Sequence, residues 1–135
     1  MGGHKETVEQ RKELYSAGVI AESSNPSNMG RMLKPDAYGI VHGSCGDTVE
    51  IYLRLDGNRI ETVTFTTDGR ESVIACGSIL TKMVRGLSLE EAGKITPEGL
   101  IAALGGLPKA KAHCAKLMLN ALWDAIANWG EGKKG

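Results

Sequence analysis

The chain has 135 residues, 41% of them hydrophobic, which is enough for one compact domain and too few for two ordinary ones. Sixteen basic side chains balance sixteen acidic ones and aromatic residues make up only 4%, so neither charge nor stacking surface marks a partner in nucleic acid. Three cysteines with no apolar leader argue against a secreted disulfide framework and for reduced thiols in the cytoplasm, and no apolar run is long enough to cross a bilayer.

Residues 1–24 read as an N-terminal helical segment. Within it, residues 5–21 carry good helix formers with Val8, Tyr15 and Val19 at helical spacing, and Ser23-Ser24-Asn25-Pro26 ends the pattern. Residues 26–35 are rich in turn formers and predict an ordered loop that tucks some of Met29, Met32 and Leu33 inward. A short strand is expected over 38–42. A second follows over 48–55, where Val49, Ile51, Leu53 and Leu55 share a buried face. Asp56-Gly57-Asn58 signals a hairpin turn, and 60–67 returns as a strand. Strict alternation there sets Ile60, Thr62, Thr64 and Thr66 on one side and Val63 and Phe65 on the other.

After Asp68-Gly69 the pattern becomes helical. Residues 72–85 place Val73, Ile74, Ile79, Leu80, Met83 and Val84 on an apolar stripe that Gly86 stops. Ser88-Leu89-Glu90-Glu91 is a capping box, Thr96-Pro97-Glu98 opens another short helix, and Gly105-Gly106 breaks the chain. Pro108 starts a last helix that runs to about residue 129, and 130–135 is expected to be a flexible tail. Strands followed by helices predict a single α+β domain over 1–135, an antiparallel sheet of about three strands with helices packed on one face.

The residues able to carry chemistry fall in two distant places. Cys45 and Asp47, among glycines between the first two strands, offer a soft thiolate and a hard carboxylate. His113 and Cys114 lie in the first turns of the last helix, where unpaired N–H groups and the helix dipole favour an anionic ligand such as thiolate. If the fold unites them, the four donors can make a tetrahedral site of two sulfurs, one nitrogen and one oxygen, a set that suits zinc and, in its thiolates, iron-sulfur clusters. The competing reading for each cysteine is a small buried apolar residue. His42, at the end of a strand, reads as a hydrogen-bonded histidine, and Trp123 and Trp129 as packing residues.

The phrases Asn25-Pro26-Ser27-Asn28-Met29-Gly30, Gly43-Ser44-Cys45-Gly46-Asp47, Thr66-Thr67-Asp68-Gly69, Ile74-Ala75-Cys76-Gly77-Ser78, and Leu107-Pro108 followed by His113-Cys114 resemble the IscU/NifU N-terminal type of iron-sulfur cluster assembly scaffold, in order, over residues 25–129. The resemblance implies a three-stranded sheet with packed helices and a cluster or zinc site at one end. It implies a scaffold rather than an enzyme: sulfur arrives from a cysteine desulfurase, iron joins it, and a transient [2Fe-2S] cluster passes to apo iron-sulfur proteins. Cys45 and Cys114 would be ligands, with Cys114 also the persulfide acceptor. Asp47 would keep the cluster labile, and His113 would be an alternative ligand. Two other readings stay open, a zinc-binding sulfurtransferase-type acceptor and a non-assembling homologue that only binds partners.

This chain departs from the pattern at one ligand. Where the family usually reads Thr-x-Gly-Cys-Gly, it has Thr67-Asp68-Gly69-Arg70-Glu71, so Arg70 stands in place of the second cysteine. Arg70 is readable as an electrostatic modulator of the thiols, as the mark of lost assembly, or as a solvated arginine paired with Asp68 or Glu71. Cys76, the less favoured replacement ligand, lies six residues on, roughly 240° around a helix and about 9 Å along it, and should face away from the site. The segment Leu107-Pro108-Lys109-Ala110-Lys111 matches only in part the one by which bacterial relatives are recognised by an Hsp70-type chaperone.

Overall fold

The computed structural model describes the backbone of residues 15–134 and the side chains of residues 15–130. In chain order the elements are α1 (Ala17–Ser24), β1 (Ala37–His42), β2 (Thr48–Asp56), β3 (Arg59–Thr67), α2 (Glu71–Val84), α3 (Leu89–Gly93), α4 (Pro97–Ala103), a 3-10 turn (Lys109–Lys111) and α5 (His113–Lys134). The strands form one antiparallel sheet in the order β1-β2-β3, as the alternation predicts.

The first described helix starts at Ala17. Ser16 has extended backbone, and its hydroxyl accepts the N–H of Val19 (3.1 Å) while donating to the carbonyl of Leu104 (2.6 Å). This satisfies an otherwise unpaired first-turn donor and starts α1 at Ala17, after Tyr15 rather than through it. Residues 5–14 of the expected helix, Val8 among them, lie outside the described residues. The following loop is ordered as expected, since Met29 bridges to Phe65 at the edge of β3, with Gly30 N–H donating to Phe65 O at 2.8 Å. Of its apolar side chains Met32 is half-buried, while Leu33 is 88% exposed and Met29 42%. The guanidinium of Arg54 holds the Leu33 carbonyl at 2.8 Å, which turns that backbone toward the sheet and leaves the side chain outside.

On the sheet, Val49, Ile51 and Leu53 are fully buried and Leu55 is half-buried, as their alternation predicts. β3 differs. Its register slips opposite Arg54 and Leu55, so that Arg54 pairs with Thr62 and Leu55 with Ile60, and Glu61 is the extra residue. A bulge of this kind shifts the phase of alternation by one. Ile60 therefore joins Val63 and Phe65 in the core instead of siding with the threonines.

The helices cover that core face. α5 lies on β1 so closely that a Cβ on Gly39 would stand 2.3 Å from the carbonyl oxygen of Ala121, and α2 approaches β3 so that one on Gly77 would stand 2.4 Å from the Phe65 ring. The buried side of α2 is accordingly built from small residues, Ala75, Cys76, Gly77 and Ser78, together with Val73, Leu80 and Val84, while Ile74, Ile79 and Met83 are only half-buried. The outer face is polar at its centre, where the hydroxyls of Tyr38, Thr66 (2.9 Å) and Tyr52 (3.2 Å) donate to the Glu50 carboxylate.

The short helices start where their caps predict. Ser88 and Glu91 make both bonds of the capping box, and Thr96 caps α4 through the Gly99 N–H at 3.0 Å. The last helix begins later than expected. Pro108 keeps extended backbone and residues 109–111 form a 3-10 turn, so α5 opens at His113, and its helical backbone continues to Lys134 through most of the stretch expected to be a tail.

Candidate functional site

The β1–β2 connection closes on itself through Gly43 N–H to Asp47 O (2.7 Å) and Gly46 N–H to Gly43 O (3.0 Å), with Gly46 at φ 94 where a side chain is disfavoured. This turn displays Cys45, which is exposed, and places its Sγ 3.5 Å from Asp47 Oδ2, in donating range of the carboxylate. The β3–α2 turn meets it from the side. Asp68 accepts the N–H of Thr48 at 2.7 Å, and Gly69 lies so near Asp47 that its missing Cβ would be 3.2 Å from the carboxylate carbon. The third element is the N-terminus of α5. Cys114 there is 3% exposed, with Sγ 3.8 Å from Nε2 of the exposed His113.

Cys45, Asp47, His113 and Cys114 all line one cavity of ≈310 Å³, whose cations are Arg70 and Lys111. The two distant halves of the predicted site thus meet at one end of the domain. They do not form a closed coordination shell: among the described residues, no three histidine, cysteine, aspartate or glutamate side chains are grouped so as to hold a metal ion.

Burial decides the state of Cys114. Its thiol is pushed up to about 11, first by loss of solvent, with the neighbouring Cys45 adding to the rise, Lys111 opposing it and Asp47 adding again. The expectation that the helix N-terminus favours a thiolate here is corrected on this point, since desolvation outweighs it. Cys76 is fully buried on α2, its thiol pushed up to about 12 by burial and secondarily by Cys114. It does not line the cavity and is a core residue, as its helical position predicts. Arg70 precedes α2 with no capping bond and is exposed. Among the described residues it forms no ion pair with Asp68. His42 is hydrogen-bonded, its Nδ1 2.9 Å from Thr48 Oγ1.

Three residues at the site were not assigned to it from the sequence. Lys111, read only as part of the chaperone-type segment, is the cation that acts on Cys114. Tyr15, read as a helix residue, lines the cavity and accepts a hydrogen bond from Ser72 at 3.2 Å. Asp68, read as a turn residue and as a candidate partner of Arg70, ties two loops together. No local pattern marks any of the three, because each arrives by chain crossing.

The sequence pattern of the NifU-like N terminal domain matches residues 14–134. The iron-sulfur cluster assembly scaffold protein IscU 1 of Archaeoglobus fulgidus is 42% identical over 117 residues, covering 86% of this chain and 76% of the relative. The iron-sulfur cluster assembly scaffold protein IscU of Haemophilus influenzae is 39% identical over 120 residues, covering 85% of this chain and 94% of the relative. Among solved structures, the N-terminal part of a nitrogen-fixing NifU-like protein from Brucella abortus has a TM-score of 0.72 at 20% identity, covering 90% of this chain and 97% of that one, a likeness of fold. The sequence phrases and the three-stranded sheet agree with these matches, and the chain belongs to the NifU-like N-terminal domain family.

Proposed function

We propose that this chain is an iron-sulfur cluster assembly scaffold, which accepts sulfur from a cysteine desulfurase, binds iron, and holds a [2Fe-2S] cluster as cargo for apo-proteins. The observation that carries the reading is the single cavity lined by two thiols, a carboxylate and an imidazole drawn from opposite ends of the sequence. The names of the relatives support it over a zinc-held sulfurtransferase or a non-assembling homologue.

In this reading Cys45 and Cys114 are the sulfur ligands, Asp47 the oxygen ligand and His113 the alternative nitrogen ligand. Cys45 and His113 are exposed and turn inward when cargo binds, while Cys114 is the fixed, buried member. As sulfur acceptor, Cys114, a thiol at rest, attacks the outer sulfur of the desulfurase persulfide and gives up its proton to the departing desulfurase sulfur. That S–S bond breaks, the desulfurase leaves as a thiol, and a persulfide forms on Cys114 with no net oxidation. Arg70 contributes charge but no ligand, so the cluster is held by two thiolates instead of three and leaves readily. Free thiols at Cys45, Cys76 and Cys114 suit a reducing compartment such as the cytoplasm. An Hsp70-type chaperone enters only through the partial match at Leu107, Pro108 and Lys111.

Anaerobic reconstitution with iron and sulfide, followed by absorption spectra and iron and sulfide analysis, tests the assignment. The native chain should take up both in equal amounts, Cys45→Ser and Cys114→Ser should lose most of the uptake, and Arg70→Cys should retain cluster longer. Uptake by Arg70→Cys alone would overturn the scaffold role for this chain.

A further inference from the structure

We propose that Asp68 is a positioning residue of this site: its carboxylate straps the turn bearing Cys45 and Asp47 to the turn bearing Arg70, and so holds Cys45 over the cavity that Cys114 closes from below. The turn over 43–47 has only two internal backbone bonds, and its tip is exposed. Its anchor is Thr48, the first residue of β2, which Thr67 and Asp68 grip at both backbone polar groups. The Thr48 N–H donates to Asp68 Oδ1 at 2.7 Å, and the Thr67 hydroxyl donates to Thr48 O at 2.8 Å while accepting the Gly69 N–H at 3.0 Å.

A carboxylate accepting a backbone N–H at this distance is a charge-assisted bond, roughly twice as strong as a neutral one. It spans 20 residues of sequence, so it joins two loops and does not merely stabilise one. Gly69 packs at the same junction, where an added Cβ would stand 3.2 Å from the Asp47 carboxylate carbon and 2.8 Å from the Val73 side chain. Asp68 is itself exposed and contributes no core packing, so its removal should alter position more than fold.

The role rests on the reading of Cys45 and Cys114 as members of one site, and its test uses neither iron nor sulfide. Dibromobimane, a two-armed thiol reagent that fluoresces fully only after both arms react, is applied to the reduced full chain, and peptide masses identify the bridged pair. Wild type should bridge Cys45 to Cys114, with Cys76 unreactive in the core. Asp68→Ala should bridge about fivefold to tenfold more slowly, a modest share of the effective concentration gained by holding two groups together. Asp68→Asn, which keeps an acceptor oxygen in place, should return to within about twofold of wild type under the same principle. An Asp68→Ala rate equal to wild type, or an Asp68→Asn rate as slow as Asp68→Ala, would overturn the role. If Asp68→Ala does not fold, Thr67→Val cuts the second strap and should slow bridging, with Thr67→Ser restoring it. A chain that bridges as expected but takes up no iron or sulfide keeps the positioning role and loses the scaffold reading. Unchanged bridging in Asp68→Ala beside normal cluster uptake does the reverse.

Discussion

Gly39→Ala should be severely destabilising for a reason local to one contact. Gly39 pairs with Ile51 in the sheet and faces α5, where an added Cβ would stand 2.3 Å from Ala121 O and 2.4 Å from Ala125 N. Both are backbone atoms of a regular helix, so no side chain can rotate away. Reaching even 3.0 Å from Ala121 O requires β1 and α5 to separate by at least about 0.7 Å, the difference from 2.3 Å. That movement also stretches the two bonds that tie the free edge of β1 to α5, Ile40 N–H to Asp124 at 2.9 Å and Asn128 to Tyr38 O at 2.8 Å. Overpacking costs about 1–3 kcal/mol and each weakened hydrogen bond up to about 1 kcal/mol, for a total of about 1–5 kcal/mol, a large part of the stability of a small domain. Urea unfolding at constant m-value measures it. The matched control is Gly130→Ala on the same helix, where nothing lies within 4 Å of the new Cβ and better helix propensity should stabilise by about 0.5–1 kcal/mol. A loss below about 1 kcal/mol for Gly39→Ala would mean that the close approach of α5 to β1 is not a constraint on the fold.

Glu22 should make stability fall on acidification. Burial alone would raise its pKa, but hydrogen bonds from Lys82 (2.7 Å) and Ser78 (2.6 Å) and the Lys82 charge outweigh it and hold the carboxyl below the ordinary value of 4.5. A depressed folded-state pKa gives stabilisation that is complete above the unfolded-state value and lost as pH falls through the folded one. Denaturation midpoints should therefore drop below about pH 4.5, Glu22→Gln should flatten part of that drop, and identical pH profiles would refute the assignment. Cys76→Ser should cost about 1–3 kcal/mol by putting a more polar group at a fully buried core position, with iron and sulfide uptake per folded chain unchanged. Loss of uptake at full stability would instead make Cys76 part of the site.

The elements legible in the sequence are those decided within a few residues. The Ser88–Glu91 capping box, the Thr96-Pro97 start and the two-residue loop after Asp56, with Gly57 at φ 61, are each settled by a side chain reaching a neighbouring backbone group or by one glycine. What escaped reading depends on a partner far along the chain. Alternation misplaced Ile60 because the bulge at Glu61 is a property of the β2–β3 pairing, which a single strand does not reveal. The stripe drawn on α2 favoured its largest apolar residues, whereas the Phe65 ring demands small ones beneath it. Likewise Pro108 looked like a helix start, but the helix waits until His113.

The same division runs through the site. Cys45 and Asp47 were legible as a pair because two residues on a tight glycine turn must project close together, and their 3.5 Å separation follows from that turn alone. Their meeting with Cys114 was an expectation that only the packing of α5 along β1 realises, which is why Gly39 bears on the site without touching it. The state of the thiol was misread for a related reason. A helix N-terminus is visible in sequence and favours the anion, but its effect near a surface amounts to about 1 kcal/mol or less, while burial of a charged group moves a pKa by whole units. Burial is set by the packing of α5 into the core, which leaves Cys114 only 3% exposed, and it dominates. The local signal located the residue, and the surrounding fold determined its chemistry.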